Sequence, residues 1–303
     1  MTLIHHQREK LLRKTTDKQR LSTILSLLTE TKEKMKKDEK VYYDEKKDKQ
    51  TIEQYYQNID FENSNDEIIQ SLTQLLKETH TNKVKYDPSE YVYPWVDLRP
   101  DGNLKSIYSG IKRDAEEVIK EDYATSLKRR DEVAKIIDED KTKLMQVERN
   151  FKYNCEHAVP QSWFNEQEPM RGDLHHLFTC EPVCNSIRSN YPFHDFTDYN
   201  PEQFNTNRVE DACGKAEEEK FEPEYGKGTV ARAMLYFLLR FPGEIEKTYK
   251  KQLNKELLYE WHQKFPPDIY EKHRNQAIFE IQGNRNPFID FPEKSLGFDS
   301  RLS

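Results

Sequence analysis

Leu21, Ile24, Leu25 and Leu28 recur at i, i+3, i+4 and i+7, with Lys and Glu filling the remaining faces, so residues 1–40 are expected to form a peripheral amphipathic helix. Lys10, Arg13, Lys14 and Arg20 on that stretch read as a solvated face rather than a phosphate grip. Residues 60–66 turn to Asn, Asp, Ser and Glu, the composition of a loop, and Ile68, Ile69, Leu72, Leu75 and Leu76 then mark a second amphipathic helix. Two β-prone runs, 91–97 and 104–108, flank the turn formers Arg99-Pro100-Asp101-Gly102-Asn103 and predict a hairpin. Residues 113–139 read as a charged helix and 144–153 as extended chain. Residues 230–241 are apolar on nearly all sides, as a buried helix is, and Pro242-Gly243 ends them. A further amphipathic helix is expected over 253–265, and the Asn/Pro-rich run 282–290 reads as a rigid loop packed on the domain.

Composition narrows the class. A chain of 303 residues predicts one main domain, 41–303, with a helical extension over 1–40. Charged residues make up 34%, but 35% hydrophobic residues and 12% aromatics still supply a packed interior. The net charge of −7 excludes a surface that grips nucleic acid everywhere, so any such contact has to be local. No run approaches the roughly 18 apolar residues of a membrane span, and residues 1–20 are too charged for a signal-peptide core. Cys155, Cys180, Cys184 and Cys213 leave several pairings open.

Candidate chemistry concentrates in 154–190, where Glu156-His157, Arg171, His175-His176 and Asn185 crowd together. Cutting a phosphodiester needs a base for the attacking water and positive charge where the phosphate and leaving oxygen develop negative charge. An imidazole is largely neutral at neutral pH, which suits His157 as the base. Glu156 and Asn185 offer two oxygen ligands to a Mg²⁺ that keeps several waters, and Asn in place of Asp leaves more of the ion's charge for substrate. Neighbours on a regular strand point to opposite faces, so the chain has to end its strand or bend between Asn154 and Pro160. Residues 174–179 make the second strand, and 181–190 a short helix with Pro182 at an early position, carrying Asn185 inward.

These runs resemble the endonuclease I family of nonspecific nucleases, whose site is the ββα-metal finger of the His-Me superfamily. The matching stretches are Asn154-Cys155-Glu156-His157 with Pro160-Gln161-Ser162, Asp173-Leu174-His175-His176, and Asn185 with Arg188-Ser189-Asn190. Phe221-Glu222-Pro223, Lys227-Gly228, Ala231-Arg232-Ala233 and residues 283–290 match as well. Residues 93–110 are similar to members that resemble bacterial extracellular ribonucleases. The resemblance covers roughly residues 42–291 and leaves 1–40 unexplained. It implies an α+β fold with the finger set among helices and a small antiparallel sheet. It also implies a Mg²⁺-dependent endonuclease acting on DNA, RNA or both, leaving 5′-phosphate and 3′-hydroxyl ends. His157 would be general base, Glu156 and Asn185 the ligands of one Mg²⁺, and Arg171, the sole arginine between base and ligand helix, the phosphate contact. Arg188 and Arg285 are further candidate phosphate contacts, and at least one of His175 and His176 is expected to be structural. Secretion or a periplasmic role is implied; inside a cell an inhibitor protein would be needed.

The competing reading is a catalytically silent nucleic-acid-binding or interaction module stabilised by zinc on Cys180, Cys184, Cys213 and His175 or His176. A disulfide from Cys180 or Cys184 to Cys213 competes with it. A ribonuclease with little action on DNA is the second rival. Trp163 and Phe164 read as loop packing before base stacking. Residues 225–229 mimic a phosphate-binding glycine loop but lack its first glycine, so Thr229 is expected to cap the buried helix instead.

Overall fold

A computed structural model describes residues 11, 17–136, 140–199 and 212–294. Lys10, Arg13 and Lys14 lie outside them. Helices dominate, with two-stranded antiparallel sheets set among them, the α+β class the sequence predicts. None of the described helices is long and apolar enough to cross a membrane.

Helix α1 (Lys18–Lys37) starts at Asp17, whose carboxylate accepts from the Gln19 N–H, and buries Ile24, Leu28 and Met35. Helix α2 (Glu45–Tyr55) follows, and α3 (Asn65–Thr79) opens with a Ser64/Glu67 capping box and buries Ile68, Leu72 and Leu76. The first arm of the expected hairpin is instead helical: α4 (Pro88–Tyr91) runs into a π-helical turn, Val92–Val96. Pro88 fits the first helical position, where its missing N–H is not needed, and Val92, Tyr93, Pro94 and Val96 are buried. A short apolar run of this kind reads alike as buried helix or buried strand. The actual hairpin pairs β1 (Asn103–Lys105) with β2 (Lys112–Asp114).

Asp114 then caps α5 (Ala115–Lys135). Where extended chain was expected, α6 (Lys141–Asn150) forms: Asp140 accepts from the Thr142 and Lys143 N–H groups, and Leu144 and Val147 bury one face.

Strand β3 (Cys155–His157) pairs with β4 (Leu177–Thr179), His157 opposite Leu177 and Glu156 opposite Phe178. The chain bends over 158–159 directly after His157. Residues 174–176 form a 3₁₀ turn, so β4 is three residues long and not six. Helix α7 (Pro182–Arg188) starts on Pro182. All six hairpin residues are buried because the hairpin divides two apolar clusters. Cys155 and Leu177 belong to one with Ile24, Val92 and Val118; Ala158, Phe178 and Cys180 belong to the other.

Strands β5 (Gly214–Glu217) and β6 (Lys220–Pro223) pair next. They lead into α8 (Lys227–Arg240), the centre of the second cluster, where Met234, Leu235, Phe237 and Leu238 are buried at about 1.5–3 kcal/mol each. Thr229 does not cap it. The helix starts after Gly226, which has φ 76° and lies so close to Ile107 that a Cβ would stand 2.4 Å from its carbonyl oxygen. Helices α9 (Lys247–Lys250), α10 (Lys255–Lys264), α11 (Ile269–Gln282) and α12 (Pro287–Asp290) complete the fold. From α11, Arg274 pairs with Asp97 and donates to the Leu174 (2.7 Å) and Leu177 (2.9 Å) carbonyls, fixing the start of β4.

Candidate active site

Strand β3, helix α7 and the loop between β3 and β4 meet at a cleft of about 470 Å³ lined by Glu156, His157, Gln161, Asn185 and Arg188. The bend after His157 lets neighbouring residues share that cleft. His157 Nε2 lies 2.9 Å from the Arg171 carbonyl oxygen. A carbonyl only accepts, so Nε2 carries the hydrogen and Nδ1 keeps the lone pair that can take a proton. The Arg171 carbonyl is held in place because Gly172 passes against Val84, where a Cβ would stand 2.0 Å from the carbonyl oxygen.

Glu156 is buried, and Tyr108 donates its hydroxyl hydrogen to Oε1 at 2.8 Å. Tyr108 is delivered by the chain after β1, where the Ile107 N–H donates to the Thr179 carbonyl at 2.9 Å. Arg188 Nε lies 3.5 Å from Glu156 Oε1. Burial pushes the Glu156 carboxyl up, while Arg188 and the Tyr108 hydroxyl pull it back. A cation placed against this carboxylate would favour its charged form. Asn185 Nδ2 donates to the Cys155 carbonyl at 2.9 Å, which assigns the amide and leaves Oδ1 as its acceptor atom. A carboxylate and an amide oxygen lining one cleft are hard donors that suit a Mg²⁺-type ion completing its shell with water and phosphate. The residues present therefore fit the metal that the finger implies.

Arg171 is buried beside the cleft, its Nε donating to Gln161 Oε1 at 2.7 Å and its guanidinium 5.0 Å from the centre of the Tyr86 ring. Tyr86 also contacts His157, ring centroids 4.6 Å apart, so one aromatic ring links His157 and Arg171. Arg188, a further candidate phosphate contact, lines the cleft. It is 0% exposed and donates to the Ala158 carbonyl at 2.8 Å and to the Ser189 carbonyl at 3.2 Å, so its charge acts on Glu156. Arg285 is not in the cleft: it is fully buried in ion pairs with Asp48 (2.9 Å) and Asp290 (2.8 Å), which corrects its assignment as a phosphate contact.

His175 and His176 are both structural. His175 Nε2 lies 3.3 Å from the Asn284 carbonyl oxygen and His176 Nε2 2.6 Å from that of Met170; neither lines the cleft. Trp163 donates to the Asn190 carbonyl at 3.1 Å and stacks on Tyr249, so it packs the loop. The zinc reading loses two ligands to the Cys184–Cys213 disulfide, while Cys155 and Cys180 remain buried thiols. Among the described residues no three His, Cys, Asp or Glu side chains converge as a metal cluster.

Sequence reasoning missed Tyr86, Tyr108, Gln161 and Lys152. Tyr86 and Tyr108 lie about 50 residues or more before the motif and carried no local signal; Lys152 sat in a stretch misread as extended.

The family model described as Endonuclease I matches residues 70–293. The chain is similar to an extracellular deoxyribonuclease of Aeromonas hydrophila, 30% identical over 166 residues that cover 48% of this chain and 68% of the relative. A periplasmic deoxyribonuclease of the same organism is 29% identical, covering 48% and 66%. An extracellular ribonuclease of Bacillus subtilis is 30% identical, covering 46% and 52%. The chain thus spans between about half and two thirds of the length of these relatives.

Proposed function

Because the chain belongs to the endonuclease I family, we propose that it is a Mg²⁺-dependent nonspecific endonuclease that hydrolyses DNA, RNA or both to 5′-phosphate and 3′-hydroxyl ends. The observation that carries the reading is the 2.9 Å contact of His157 Nε2 with the Arg171 carbonyl, in the cleft that Glu156 and Asn185 line, which assigns the hydrogen to Nε2. His157 Nδ1 takes the proton of the attacking water, a role worth roughly 10²–10⁴ in rate. Glu156 and Asn185 would hold one Mg²⁺, which supplies positive charge to the phosphate and the departing 3′-oxygen. Arg171, braced by Gln161 and Tyr86, steadies a nonbridging oxygen once substrate fills the cleft. Tyr108 and Arg188 keep the Glu156 carboxylate aimed and charged.

The names of the relatives, deoxyribonucleases and a ribonuclease, favour neither sugar. The Cys184–Cys213 disulfide and those relatives' extracellular or periplasmic names support work in an oxidising compartment. The nuclease domain is assigned to residues 41–303, with α1 as a buttress on the apolar cluster that also receives Cys155 and Leu177.

The test is cleavage of supercoiled plasmid and of an unstructured RNA, with Mg²⁺ or excess EDTA. Cutting that needs the metal is expected on at least one substrate, and the ratio of the two rates reads the sugar preference. A folded chain that cuts neither would remove the reading.

A further inference from the structure

Beside the residues proposed above to carry the chemistry, the cleft wall also includes the C-terminal end of α6 and the chain after it, where Met145, Glu148, Arg149, Lys152 and Tyr153 line the space. That end is pinned from beneath. Arg129, buried on α5, donates from Nε to the Phe151 carbonyl at 2.6 Å and from Nη2 to the Glu148 carbonyl at 3.4 Å, with its guanidinium 4.1 Å over the Tyr153 ring. Arg149 and Lys152 therefore project from a rigid support, which is what precise ligand placement needs.

Neither cation forms an ion pair with a carboxylate among the described residues, in a chain where most arginines and many lysines do. Lys152 is half-buried, and burial pushes its ammonium down from the usual lysine range while Glu156 opposes the shift. A partly desolvated cation without a close counter-charge is unfavourable, and an anion bound beside it removes the cost. Arg129, Arg149, Lys152 and Arg188 line the cleft against Glu148, Glu156 and Glu166, a local positive excess in a protein of net charge −7, as phosphate contact requires.

We propose that Arg149 and Lys152 form a second phosphate subsite, which takes the phosphodiester next to the one being cut and makes the enzyme depend on a polynucleotide rather than on a lone diester. The inference rests on the nuclease reading. Met145, 40% exposed on the same wall, gives the sugar or base between the two phosphates an apolar surface.

The test uses the double variant Arg149→Gln, Lys152→Gln on a single-stranded oligonucleotide and on bis(4-nitrophenyl) phosphate. On the oligonucleotide kcat/KM should fall about 30-fold, chiefly through KM. The slope of log KM against log salt should become shallower by about 0.7, the value for one single-strand phosphate. The loss on the lone diester should be at least tenfold smaller. Anisotropy of a labelled oligonucleotide, read in a His157→Ala background, should show the same 30-fold weakening without turnover. The charge-keeping Arg149→Lys, Lys152→Arg variant should restore most of it. Equal losses on both substrates, or unchanged affinity and salt slope, would overturn the subsite. Wild-type chain that cuts neither substrate would instead remove the nuclease reading, and the binding arm would still decide the subsite.

Discussion

His157 ends β3 and His176 sits in the turn just before its partner strand β4, with ring centroids 5.3 Å apart, and each points Nε2 at a backbone carbonyl, that of Arg171 for one and of Met170 for the other. Beyond that shared anchor they diverge. His157 lines the cleft with Glu156 and Asn185. His176 is 0% exposed, rests against Phe164 and Phe237, and has an Nδ1 without a hydrogen-bond partner. The neighbouring Asp173 is sealed in the same way, accepting from Tyr236 at 2.8 Å, from Gln282 at 3.1 Å and from the His175 N–H at 3.1 Å. Two acid–histidine groups of similar make-up thus serve opposite ends, and access to the cleft, not residue type, separates them.

The sealed group should yield a large loss of stability with little loss of chemistry. Asp173→Ala leaves the Tyr236 hydroxyl, the Gln282 amide and the His175 N–H without their acceptor, and should cost roughly 3–5 kcal/mol in urea unfolding. Cleavage per folded molecule should change less than about tenfold. The reverse pattern, intact stability with lost cleavage, would move Asp173 into the chemistry and break the comparison.

The disulfide bears on the cleft side, since Cys184 immediately precedes Asn185 on α7 and Cys213 precedes β5. Replacing both cysteines by serine should destabilise the fold by about 3 kcal/mol in the same unfolding assay, as expected for a loop of 29 residues. It should also raise the Mg²⁺ concentration for half-maximal cleavage several-fold, because Asn185 loses its tether. An unchanged metal requirement would show that α7 holds Asn185 without it.

Acid should act on the sealed side. Burial holds His175 down at about 4, with Asp173 opposing, against about 6.5 when unfolded. The unfolded chain then binds more protons between those values. The stability contributed by neutral His175 is full above about pH 6.5 and is lost as pH falls through 4, at most about 3 kcal/mol. Burial alone would raise Asp173, but His80, His175, His176 and Gln282 bring it to about 2, so a second loss follows between about pH 4 and 2. Stability measured as flat from pH 7 to 4 would contradict this reading.

The strand, bend and helix around the cleft were legible in the sequence because their signals are local: Glu156-His157 before Pro160, and Pro182 opening the helix that carries Asn185. The buried α8 was legible from an apolar run too long for a strand. The run at 92–96 was not, since periodicity does not tell a short buried helical turn from a strand. At α6 a signal did exist, in the Asp140 cap and the buried Leu144 and Val147 one turn apart, and the misreading hid Arg149 and Lys152. Arg171 was singled out by its place between base and ligand helix, while Arg188 and Arg285 stood behind it as further candidates. What separates them is partly remote: the Ala158 carbonyl, 30 residues from Arg188, and Asp48, which pairs with Arg285 from the far end of the chain, are contacts that no spacing rule reaches.

The most direct measurement sets His157→Ala beside His176→Ala, reading plasmid cleavage per folded molecule and the unfolding midpoint of each. The account predicts that His157→Ala slows cleavage about 10³-fold with stability within about 1 kcal/mol of wild type. For His176→Ala it predicts a loss of roughly 2 kcal/mol or more in stability, with cleavage by the folded fraction within several-fold of wild type. Wild-type cutting by His157→Ala, or cutting abolished in a stably folded His176→Ala, would contradict it.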